Sequence, residues 1–88
     1  MDEQDIQIYI LTQLQEKKEN VNKKIAPIYT DVGVDRETFA KVVEDLERKK
    51  FISDAKVQRA ENGDAVEAIF LQTAHIESLG EDFLKSHL

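Results

Sequence analysis

Between Asp5 and Lys18 the apolar residues Ile6, Tyr9, Ile10 and Leu14 recur on one side at about 100° per residue, the period of an amphipathic helix. The pattern predicts a first helix over residues 6–18. Ile8 and Leu11 fall outside that stripe, so the helix carries a second, narrower apolar face. Either the chain's own C-terminal segment covers it or a second copy does, which makes Ile8 and Leu11 candidate dimer-interface residues. Residues 18–24 are polar apart from Val21 and read as a connection. Ile25, Ala26, Ile28 and Tyr29 then surround Pro27, the only proline. A proline is tolerated in the first turn of a helix, where its missing N–H would be unpaired anyway, so residues 27–31 are expected to form a short second helix. Gly33 supplies a turn, and Asp35 is placed to accept hydrogen bonds from the free N–H groups of the next helix.

That third helix, over residues 36–50, has the clearest pattern. Phe39, Val42, Val43 and Leu46 make one stripe, followed by Phe51 and Ile52. The opposite face presents Glu37, Lys41, Glu44 and Arg48. Their spacing predicts the ion pairs Glu37–Lys41 and Glu44–Arg48, each stabilising the helix by roughly 0.3–0.5 kcal/mol. Residues 55–60 and 65–71 alternate in polarity around Glu61-Asn62-Gly63-Asp64. Asn-Gly tolerates positive φ at both positions, so the segment reads as a two-stranded hairpin. Ile76, Leu79, Gly80, Phe83 and Leu84 form a terminal helical stripe with a glycine on its apolar side. Glycine there costs about 1 kcal/mol against alanine, which predicts close approach of another backbone.

At 88 residues the chain reads as a single domain, 1–88, with room for one core. Apolar residues make up 41% and charged residues 34%, a balance that excludes global disorder. There is no cysteine, hence no disulfide framework, thiol nucleophile or thiolate metal site. No apolar run approaches the roughly 18 residues that span a bilayer, and the N-terminus, Met1-Asp2-Glu3-Gln4-Asp5, is acidic where a signal peptide is basic. A cytoplasmic protein with no membrane partner is expected. The net charge of -6 weighs against nucleic acid, because binding a polyanion rests on Lys and Arg replacing condensed counterions. Its distribution changes that picture. Residues 17–59 hold eleven bases against eight acids, a net of +3, and the acidity lies at the two ends.

Candidate chemistry is sparse. His75 and His87 are twelve residues apart with no acid cluster at metal-ligand spacing, and Ser53, Ser78 and Ser86 lack a nucleophile-elbow context. Three scattered glycines make no phosphate loop. The reading is a non-enzyme with no cofactor and no metal. Most of the aromatic residues, Tyr9, Tyr29, Phe39, Phe51, Phe70 and Phe83, sit on apolar stripes and read as core.

The segment Asp31-Val32-Gly33-Val34-Asp35-Arg36-Glu37-Thr38-Phe39, continuing through Leu46-Glu47-Arg48-Lys49-Lys50-Phe51-Ile52, resembles the turn, recognition helix and first wing strand of bacterial winged-helix regulators. Ile76 to Leu84, with Gly80 followed by Phe83-Leu84, resembles the closing helix of small members of that superfamily. The whole is most similar to the YjcQ-like family of small winged-helix proteins of low-GC Gram-positive bacteria and their phages. One departure stands out: Ala26 lies seven residues before Gly33, where about four is common in helix-turn-helix motifs.

The resemblance implies an α+β, mainly α, winged helix: a three-helix core with a helix-turn-helix, a β-hairpin wing and a C-terminal helix. In its DNA-binding members the recognition helix enters the major groove and the wing touches the backbone or minor groove. At matching positions, Arg36, Thr38 and Lys41 would then face bases or phosphates. Lys56, Arg59 and Asn62 would be wing contacts, and Lys23 and Lys24 would hold phosphate. Arg36 is the implied reader of a guanine edge, because its planar fork donates two hydrogen bonds at once. The leading expectation is a DNA-binding or transcription-regulatory protein of a bacterium or phage, monomer or homodimer, acting on double-stranded DNA. The alternative is a winged-helix module for protein partners, including an acidic phage inhibitor of a host nucleic-acid enzyme. The net charge, the paired outer face of the third helix and the apolar positions Ile8 and Leu11 motivate it; on that face Glu37, Glu44 and Asp45 would meet phosphates as like charges.

Overall fold

Helix α1 (Glu3–Glu19), helix α2 (Arg36–Arg48), strands β1 (Ile52–Ser53), β2 (Lys56–Arg59), β3 (Val66–Phe70) and β4 (His75–Ile76), and helix α3 (Ser78–Ser86) follow one another along the chain. The computed structural model describes residues 3–20, 33, 35–61, 63 and 65–87. Among them the fold is a small, mainly helical α+β arrangement with two two-stranded antiparallel sheets, β1–β4 and β2–β3. The helix expected over 27–31 lies outside the described residues, as do Lys23, Lys24 and Asn62.

Helix α2 forms where its stripe predicts, with Phe39, Ala40, Val42, Val43 and Leu46 buried. Asp35 caps it, its side chain accepting from the Thr38 N–H at 2.7 Å, and Gly33 takes a positive φ of 72° in the preceding turn. The helix ends earlier than residue 50. Lys50 adopts φ 64°, its N–H donates to the Glu47 carbonyl at 3.0 Å, and the Phe51 N–H donates to the Leu46 carbonyl at 2.9 Å. This pair of bonds is a Schellman ending, here with lysine at the left-handed position where glycine is usual.

Helix α1 begins earlier than its pattern suggested, with Glu3 and Asp5 in the first turn, where carboxylates face the positive end of the macrodipole. Its buried arc is turned away from Tyr9 and toward Gln7 and Leu11: Ile6, Gln7, Ile10, Leu11 and Leu14 are buried. Leu11 has 0% exposure, which corrects its assignment to a dimer interface, and Ile8 is partly buried against the same core. The reason is geometric. Helix α1 packs on α2 and also on α3 and β4, so it buries a wider arc than a one-sided stripe.

The hairpin β2–β3 pairs Lys56 with Phe70, Val57 with Ile69, Gln58 with Ala68 and Arg59 with Val66, which leaves Glu67 as an extra residue in β3. Such a bulge breaks the ladder locally. The pairing of β1 with β4 was not legible in the polarity pattern. Ile52 and Ser53 lie opposite Ile76 and His75, so Ile76 is a strand residue and not the start of the terminal helix. Within α3, Gly80 and Leu84 are buried while Leu79 is 53% exposed, so Leu79 leaves the predicted stripe. Gly80 meets the expected backbone: a Cβ there would lie 2.2 Å from the Phe51 carbonyl oxygen. That oxygen also accepts from the Glu77 N–H at 2.8 Å. The Phe51 ring stacks on Phe83, with centroids 5.1 Å apart.

Candidate nucleic-acid interface

The first turn of α2 starts beside β3. Arg36 donates from Nη1 to the Glu67 carbonyl at 3.0 Å and to the Val66 carbonyl at 3.3 Å. Glu37 follows and accepts from the Val66 N–H through Oε1 at 2.7 Å. Both side chains thus bond to backbone groups at the bulge, which joins α2 to the hairpin through polar contacts as well as apolar ones.

Arg59, opposite Val66 in β2, points to the same cluster. Its Nη2 lies 2.6 Å from Glu44 Oε1, and its Nη1 lies 3.9 Å from Glu37 Oε2. The two ion pairs predicted within α2 are therefore replaced. Glu44 pairs with Arg59 of the hairpin and not with Arg48. Arg48 pairs with Asp45, which also holds Lys49 at 3.1 Å. Glu37 turns to Val66 and Arg59 and not to Lys41. A carboxylate near one neighbour on its own helix was legible. A carboxylate near a cation brought by a hairpin depends on packing.

Thr38 and Lys41 are exposed. The Asp35 carboxylate is held below the usual aspartate range by its bond with the Thr38 side chain, then by the Thr38 N–H, with weaker attraction from Lys41. Arg48 and Lys49, bonding directly to Asp45, lower that carboxyl as well. Lys41 and Lys56 form no ion pair with a described residue, and Lys56 is exposed opposite the half-exposed Phe70. Beside α1 the outward face of α2 forms a groove of about 430 Å³, where Glu3, Glu44 and Asp45 stand against Lys41 and Arg48.

Two further features escaped the sequence pattern. At the end of α1, Lys17 donates to the Gln72 carbonyl and, at 3.0 Å, to the Ala74 carbonyl, which ties the helix to the turn before β4. Lys18 pairs with Glu81 of α3 at 2.6 Å and lowers its pKa. Glu47 is shifted upward, by burial first and then by the charges of Asp54 and Glu44. It lines a groove with Asp54, Glu77 and the exposed Leu79. Nothing in a linear pattern signals that juxtaposition. Among the described residues no group of three or more His, Asp or Glu is placed to hold a metal, and no helix is long and apolar enough to cross a membrane. Comparison of the chain with models of protein families, with curated proteins and with solved structures finds no match in any of the three.

Proposed function

We propose that this chain is a noncatalytic winged-helix interaction domain, similar in layout to the YjcQ-like proteins, whose ligand is a protein and not a DNA duplex. One observation carries the choice. The guanidinium groups on the face that would meet DNA are already engaged inside the molecule: Arg36 on the Val66 and Glu67 carbonyls, Arg59 on Glu44 and Glu37, and Arg48 on Asp45. Phosphate affinity comes from Lys and Arg that neutralise phosphates and so release the counterions condensed on the DNA, and a guanidinium already facing a carboxylate brings little net positive charge to that exchange. The net charge of -6 acts in the same direction at longer range. The partner class is a protein with a basic surface, such as a nucleic-acid enzyme that an acidic chain could occlude.

A DNA-binding, transcription-regulatory role is the second reading. It is favoured by Thr38, Lys41 and Lys56, which are exposed on the start of α2 and on the hairpin, with both lysines outside the ion pairs described above. Anisotropy of a short labelled duplex of random sequence separates the two readings. At roughly 50 mM salt, where phosphate contacts are strong, the protein reading expects no saturable binding. Binding that weakens steeply as salt rises would establish the DNA reading instead. Lys41→Ala and Lys56→Ala would then reduce it without lowering thermal stability.

A further inference from the structure

Glu37, Glu44, Arg36 and Arg59 meet around Val66, at the bulge of the hairpin. The ion pairs of this cluster contribute little to the stability of the fold. The side chains of Arg59, Glu37 and Glu44 are 34%, 49% and 46% exposed. Ion pairs that exposed are screened by water and salt and contribute little. Glu37 does more, because its Oε1 satisfies the Val66 N–H, but the carbonyl oxygen of a glutamine can accept the same bond, more weakly, and among the described residues Glu44 bonds only to Arg59. The negative charges themselves therefore need another account.

We propose that Glu37 and Glu44 are specificity-determining residues that exclude polyanions. They occupy the guanidinium of Arg59 where a backbone phosphate would otherwise sit, and they present like charge to any strand approaching α2 and the hairpin. Discrimination between partners is a difference of affinities, and repulsion of the wrong ligand sets it as effectively as attraction of the right one. The cluster is open to solvent, so a strand reaching it would meet both carboxylates. The proposal rests on the winged-helix reading above, which puts α2 and the hairpin on one nucleic-acid-facing side.

The experiment compares duplex binding by the wild type, Glu37→Gln/Glu44→Gln, the same pair with Arg59→Ala, and Glu19→Gln/Asp82→Asn, which removes equal charge from α1 and α3. The probe is the labelled random duplex at roughly 50 mM salt. The expected result is about tenfold tighter binding by Glu37→Gln/Glu44→Gln than by wild type, with a salt slope steeper by about one counterion. Arg59→Ala should abolish the gain, and the control pair should show none. No gain in a double variant that still melts cooperatively would overturn the proposal. So would an equal gain in the control pair, or one that persists without Arg59, since either reports net charge alone. If the double variant fails to fold, Glu44→Gln alone answers the question, because it leaves the Glu37–Val66 bond in place. Tight binding by the wild type would instead count against the protein-binding reading, so the two failures are distinguishable.

Discussion

Lys50 stands at φ 64°, in the left-handed region where a Cβ crowds the following carbonyl. The two Schellman bonds hold it there, and its cost is intrinsic to the side chain and not to any contact. Lys50→Gly should therefore stabilise the protein by about 0.5–1 kcal/mol in urea unfolding, even after the added chain entropy of the unfolded state. Lys49→Gly, one residue earlier at φ -78°, should destabilise it. A loss at both positions would remove the strain argument. Asp35 makes a second prediction at this scale. Its carboxyl is lowered by Thr38, that of Asp45 by Arg48 and Lys49, and that of Glu81 by Lys18. A carboxylate whose folded pKa is depressed contributes stability that is present above its unfolded pKa, near 4, and is lost as pH falls through the folded value. Glu47 has the opposite sign, because its raised pKa makes the folded state tolerate protonation. With three lowered groups against one raised, thermal stability should fall as pH drops below about 4. Asp35→Asn, which keeps a capping oxygen but cannot titrate, should show a smaller fall than wild type. Asp35→Ala should be less stable than either at neutral pH, because the Thr38 N–H loses its acceptor.

At the scale of elements, the junction between the end of α2 and α3 is set by one carbonyl. The Phe51 oxygen accepts the Glu77 N–H and lies where a Cβ on residue 80 would be, at 2.2 Å. Gly80→Ala should gain about 1 kcal/mol of helix propensity and still lose overall, by at least about 2 kcal/mol, because the obstacle is backbone and cannot rotate away. Chemical denaturation measures this, and an alanine variant as stable as wild type would mean that the two segments are looser than the geometry shows. The glycine on an apolar stripe was legible in the sequence and so was its consequence. Which backbone approached it was not, because Phe51 comes from a different helix end. The hairpin behaves alike. Its two strands were legible from their alternation of polarity, while the bulge at Glu67 and its use by Arg36 and Glu37 depend on the neighbouring helix.

At the scale of the whole molecule, α1 is the element that three others share. Leu11 is fully buried there, so truncating it removes core contacts and leaves a cavity. Leu11→Ala should cost about 2–5 kcal/mol in denaturant unfolding, with no change in oligomeric state. Ile8, only partly buried, is the residue that can report on a homodimer. Ile8→Glu leaves the sedimentation coefficient unchanged if the chain is monomeric and lowers it if a second copy covers that face.

What the sequence determined by itself was everything governed by near neighbours along the chain. The apolar stripe of α2, the Asp35 cap, the turn at Gly33, the hairpin and the close approach at Gly80 follow from helical period, hydrogen-bond acceptors and the freedom of glycine. The tertiary structure alone decided the rotation of α1 about its axis, the β1–β4 pairing, the exposure of Leu79 and the partners of Arg36, Arg59, Glu37 and Glu44. Each of those depends on which faces meet across the core. A charged side chain of several rotatable bonds reaches many acceptors, and only the packing of helix against hairpin selects one.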